Sequence, residues 1–196
     1  LFLLLIVLVT FGLGQAWGTA LPFNETFDSS DGGFTTTGLG SWKWGIPTSG
    51  PGAAHSGSKV WATNLLGDYG NNETGVVTSP MYDLTGATGK SIVVSWWQFL
   101  TTESGYDFGK VEVSKNGGGS WETIFGPRSG VVGLGWVQQT VLLDETYAVA
   151  EFQIRFALTS DVTGAASGFY IDDLRIAAMG LTTADPARPT QDFEAG

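Results

Sequence analysis

"YDFGKVEVSKNGGGSW", Tyr106–Trp121, is the stretch on which the fold turns. Ser114, Asn116, Gly118 and Trp121 stand at the spacing of an Asp-box turn, in which a short polar side chain accepts backbone N–H groups across a glycine-rich loop and a tryptophan packs beneath. A propeller repeats such a turn at a blade spacing of about 40 to 50 residues, and this chain holds it once. The stretch therefore reads as one hairpin joining "KVEVS" to "WETIF".

Working outward, the same chemistry recurs. "SKVWATNL", "TGVVTSP", "KSIVVSWWQFL", "GKVEVS", "SWETIF", "WVQQTVLL", "AEFQIRFALTS" and "GFYIDDLRIAA" are apolar or alternating runs separated by turn residues. Eight such runs at short spacing predict an all-β, two-sheet antiparallel sandwich. In "EFQIRFAL", Phe152, Ile154, Phe156 and Leu158 share one face while Glu151, Gln153 and Arg155 take the other, the pattern of a half-buried strand. Glycine at 29 residues and tryptophan at 8 suit such a fold.

The 196 residues are organised in three parts. Residues 1–20 open with the uncharged run "LFLLLIVLVTFGLG", shorter than the roughly 20 residues of a membrane span and followed by small residues, as in a secretory signal; a truncated membrane segment or assembly helix is the alternative. Residues 21–179 form the sandwich. Residues 180–196 lose periodicity and gain Pro186 and Pro189, as a linker does, and "TQDFEAG" echoes the opening "NETFDSSDGG", as the start of a second module would.

Composition excludes several functions. A net charge of -10 would repel a nucleic-acid backbone and weaken contact with an anionic membrane, which leaves only the N-terminal segment, if uncleaved, to meet a bilayer. With no cysteine there is no disulfide, thiolate metal site or cysteine nucleophile. His55, in "AAHSGS", is the one histidine, and no nucleophile elbow, H-E-x-x-H, phosphate loop or second facing carboxylate motif accompanies it. His55 is expected to be a loop residue, and no enzyme activity is expected.

Three blocks, "SGSKVWATNL", "SPMYDL" and "GFYIDDLRI", occur in one order within residues 23–178. Together they resemble the MAM-like jelly-roll domains of secreted bacterial and archaeal proteins, found beside the peptidase domain of immune inhibitor A proteins and in cleaved-adhesin or choice-of-anchor surface proteins. The cysteines of animal MAM domains are absent. The resemblance implies a jelly roll that is non-catalytic, extracellular or at the cell surface, and that binds glycans or partner proteins. It also implies a structural Ca²⁺ where the first strand meets the last, held by Glu25, Asp28, Asp172 and Asp173. Strict alternation in "FYIDDLRI" independently points one of the two aspartates inward. An inward carboxylate needs a cation, an arginine or backbone donors; oxygen ligands favour calcium, and N–H groups of a crossing loop are the competing solution.

Adjacent Trp96 and Trp97 must point to opposite faces of their strand, so one ring lies outside the core. Trp97, Trp42 and Trp44 are the candidate sugar-stacking residues, with "WKWG" alternatively plugging one end of the sandwich. An accessory or adhesion module, the ancillary domain of a secreted metallopeptidase, and a filament subunit are the three functions open to such a chain.

Overall fold

The computed structural model describes residues 21–40 and 42–180, so the expected signal segment (1–20) and the linker from 181 onward lie outside the described residues. Eleven strands form among them: β1 (Phe23–Glu25), β2 (Thr35–Thr37), β3 (Lys43–Gly45), β4 (Val60–Ala62), β5 (Val76–Thr78), β6 (Ser91–Thr101), β7 (Phe108–Ser114), β8 (Glu122–Arg128), β9 (Val131–Leu143), β10 (Gln153–Thr159) and β11 (Gly168–Met179). One sheet runs β3-β4-β11-β6-β9, with β1 added to β11 beside β4; the other runs β2-β5-β10-β7-β8, and every pairing is antiparallel. The chain is a two-sheet antiparallel sandwich of the jelly-roll kind, as the sequence predicts.

The core lies between the sheets and follows from period-2 alternation. Ile92, Val94, Trp96, Gln98 and Leu100 of β6 point inward against Ile154, Phe156 and Leu158 of β10, all buried, while Trp97 and Phe99 point out and remain half-exposed. Trp96 meets Phe125 and Phe156 edge-on, at 5.8 Å each. Burying a large apolar side chain contributes roughly 1.5–3 kcal/mol, so these rings carry much of the fold's stability.

The β7–β8 hairpin closes as its sequence indicates. Ser114 Oγ accepts the N–H groups of Asn116 (3.2 Å) and Gly118 (2.9 Å), Asn116 Oδ1 accepts the Ser120 N–H (2.9 Å), and Trp121 lies 4.1 Å beneath the Arg155 guanidinium.

β11 departs from strict alternation. Asp172 pairs with Trp97 and Arg175 with Ser95, so three steps along β11 match two along β6. The extra residue is a β-bulge, and Asp173 sits in it at φ 47°, a left-handed conformation that Asp tolerates better than most residues. The bulge resets the phase: Phe169, Ile171, Leu174 and Ile176 all join the core, while Asp172 and Arg175 lie on the outer face. The expectation of an inward-pointing aspartate is thereby corrected, because the added residue lets both flanking apolar pairs face inward without carrying an aspartate with them.

Candidate functional site

The outer face of the β11-containing sheet is half covered and half open. Residues 46–59, between β3 and β4, fold back over it, and Ala54, Leu65, Phe99 and Trp136 pack on Val60, Ala62 and Tyr170 as a small second core. Beyond that cover run two cross-strand rows, Asn24, Arg175, Ser95 and Thr140 in one and Asp172, Trp97 and Gln138 in the other; Asn24, Arg175, Thr140 and Gln138 are exposed and Trp97 is half-buried, while Ser95 and Asp172 are buried between them. They frame a cavity of about 240 Å³ lined by Asn24, Glu25, Ser95, Trp97, Gln138, Asp173 and Arg175.

The segment "HSGS" is fixed to this face by carboxylates. Asp172, fully buried, accepts the N–H groups of His55 (2.9 Å) and Ser56 (3.2 Å) on Oδ2 and that of Asp173 (2.8 Å) on Oδ1. Asp173 takes His55 Nδ1 at 2.6 Å and the Ser56 hydroxyl at 2.8 Å. Asp28 accepts the N–H groups of Ser58 (2.6 Å) and Lys59 (3.4 Å), and Gly57 passes it so closely, at φ 54°, that a Cβ there would lie 1.8 Å from Asp28 Oδ2. The His55 ring stacks on Trp97 at 3.7 Å and 14°, and meets Trp136 edge-on at 6.2 Å.

Burial pushes the Asp172 carboxyl up to about 7, with the neighbouring Asp173 charge adding to it and the N–H donors of Ser56, Asp173 and His55 opposing it. Burial likewise raises Glu25, against the pull of the Phe27 N–H donated to its Oε1 at 2.7 Å; nearby Asp31 raises it further.

The expected calcium set does not assemble as a cage. Asp172 and Asp173 turn their oxygens to N–H, hydroxyl and imidazole donors, Asp28 is taken by the N–H groups of Ser58 and Lys59, and Glu25 folds back on its own turn. Among the described residues, the group of three carboxylates with oxygens within 4.8 Å of one another is Glu103, Asp107 and Asp161, at one end of the sandwich. There Asp107 is fully buried, accepts the Tyr69 hydroxyl on Oδ2 and takes the Asp161 N–H on Oδ1 at 2.8 Å.

The three tryptophans divide. Trp42 is buried in the core against Phe169 (5.7 Å) and is not available to a ligand, which corrects its assignment as a sugar-stacking residue. Trp44 is half-buried, donates Nε1–H to the Phe27 carbonyl (2.7 Å) and carries Lys59 Nζ 4.2 Å over its ring, so it too serves the fold. Trp97 alone of the three lines the open cavity.

Sequence reasoning missed Asn24, Ser95, Gln138 and Arg175, which come from four strands and carry no local motif, and took His55 for an ordinary loop residue. The signal for His55 was the doubled aspartate: an Asp-Asp pair in an otherwise apolar strand demands donors, and a Gly/Ser loop with a histidine offers them. The Ser56 hydroxyl donates to Asp173 and not to the imidazole, so the trio lacks the nucleophile-to-base contact of a hydrolytic triad.

No family model matches the chain. Over 153 residues, 78% of its length, it is 31% identical to Bacillopeptidase F of Bacillus subtilis, and this stretch is 10% of that protein, so the chain spans about a tenth of the curated relative it matches. Among solved structures it is similar to the K2 cleaved adhesin domain of Lys-gingipain from Porphyromonas gingivalis (TM-score 0.52, 21% identity, covering 82% of this chain and 99% of that one). It is also similar to a xylan-binding domain of carbohydrate-binding module family 22 (TM-score 0.50, 19% identity, covering 81% and 94%). At such identities the structural likeness speaks for the fold.

Proposed function

We propose that the chain is a non-catalytic extracellular binding module that takes a glycan on the open half of its sheet face. The observation that carries this is the cavity itself: a half-exposed indole, Trp97, stands beside Arg175, Gln138, Ser95 and Asn24 in the middle of a sheet rather than in a mobile loop. A sugar ring offers an apolar face and a rim of hydroxyls, and an aromatic ring flanked by fixed donors and acceptors is its complement. Likeness to a xylan-binding domain and to a cleaved adhesin domain supports the same class of function. The test is calorimetric titration of the purified chain with xylo-, cello- and chito-oligosaccharides. At least one series should bind, and Trp97→Ala should abolish the binding; heat-silent titrations throughout, with polysaccharide pull-downs also empty, would sink the reading.

The 31% identity to a segment of Bacillopeptidase F favours a second, compatible reading, in which the module is an ancillary domain of a secreted peptidase. A complete reading frame without a peptidase domain would dismiss it.

A further inference from the structure

We infer that His55 is a positioning residue for Trp97, holding the indole away from the cavity so that the cavity stays open. This rests on the reading of the sheet face as a glycan site, but its central observation is geometric. The imidazole lies parallel to the indole at 3.7 Å. Trp97 lines the cavity and His55 does not, so the histidine covers a side of the indole that the cavity leaves unused. On the outer face Trp97 is flanked along its strand by Ser95 and Phe99 and across it by Gln138 and Asp172; of these, Ser95 and Gln138 stand on the cavity side, the first too small and the second too flexible to prop a large ring. Left alone, the indole would collapse over Ser95 and fill the space a ligand needs, since an empty cavity forfeits contacts that a flat ring can recover.

His55 is itself held from three directions. Its Nδ1 lies 2.6 Å from the Asp173 carboxylate, its backbone N–H is bound by Asp172, and the Trp136 ring stands edge-on behind it, anchored through Nε1–H to the Ala53 carbonyl at 3.1 Å. The Asp-Asp bulge thus acts on the cavity through the histidine as well as directly, since Asp173 also lines it. Stacking of this geometry restricts both rings, and a ring already ordered spares binding the cost of ordering it.

The test separates the stack from the hydrogen bond. His55→Asn keeps a donor for Asp173 without a ring, His55→Phe keeps the ring without the donor, and His55→Ala removes both. With 5-fluorotryptophan incorporated, the Trp97 ¹⁹F resonance is identified by its loss in Trp97→Phe. It should be sharp in the wild type, shifted and broadened in the Asn and Ala variants, and nearer the wild-type position in Phe. Affinity for whichever oligosaccharide binds the wild type should fall about three- to tenfold in Asn and Ala, the cost of one side chain left to be ordered on binding, and recover in Phe. An unmoved Trp97 resonance in His55→Asn and His55→Ala, or a Phe variant as impaired as Ala, overturns the inference. If no oligosaccharide binds the wild type, the glycan reading fails and the fluorine spectra still decide the role of His55. Should alanine release the loop altogether, the Asn and Phe pair carries the decision.

Discussion

At the scale of single residues, Asp172 is the most constrained group. Its carboxyl is raised from an ordinary 3.8 to about 7 by burial, so the protonated form is the one the fold prefers. The residue therefore contributes its full stability below about pH 4, and that contribution is lost as pH rises through about 7. Asp172→Asn keeps one acceptor oxygen for the His55 and Ser56 N–H groups but sets an amide against the Asp173 N–H, at a cost of about 1–3 kcal/mol for the unmet donor. Thermal melting at pH 5 and pH 8 should show the variant's deficit shrinking at the higher pH, where the wild type bears the ionised carboxylate. A deficit that grows with pH would mean that the N–H donors outweigh burial. Gly57→Ala should be more damaging than its size suggests, because φ 54° and the Asp28 carboxylate both oppose a Cβ. A melting temperature within a degree of wild type would contradict the close approach described above.

The elements show which parts of the fold were legible and why. All eight apolar or alternating runs fall on β4 to β11, and the inward stripe of "EFQIRFAL" is buried as alternation requires, since the longer strands repeat their pattern often enough to be read. β4 and β5 are as short as β1, β2 and β3, at three residues each, but stand in apolar runs flanked by turn residues, whereas "FNE", "TTT" and "KWG" carry no such run and take their place from their pairing with other strands. β11 failed differently: its composition was clear, but a bulge is a one-residue slip that inverts every side chain beyond it. Asp173 carries that slip in a left-handed conformation, and this is testable. Asp173→Asn should keep the bulge, whereas Asp173→Val should cost about 1–2 kcal/mol more in urea denaturation, since a β-branched residue is poorly tolerated there. Equal stability of the two variants would show that the bulge is not fixed at this position.

For the molecule as a whole, the site was less legible than the fold because it is a property of register. Asn24, Ser95, Gln138 and Arg175 are brought together from β1, β6, β9 and β11, whereas Trp97 was visible from the adjacent Trp96 that had to point the other way. The net charge of -10 then separates the two classes of partner open to such a face. A protein partner drawn by the chain's net negative charge would have to be basic, and its binding would be drawn by fields that salt screens beyond about 8 Å at 0.15 M. A neutral glycan gains its affinity from stacking on Trp97 and from hydrogen bonds at close range, which salt barely touches. Raising sodium chloride from 0.05 to 0.5 M should therefore leave oligosaccharide affinity within about twofold, although the same change would weaken a charge-steered protein complex by an order of magnitude or more. The Arg175 guanidinium makes the comparison sharper, since it is exposed on this face. If a ligand's affinity falls steeply with salt and Arg175→Gln removes that dependence, the ligand is anionic and the neutral-glycan reading gives way to an acidic one.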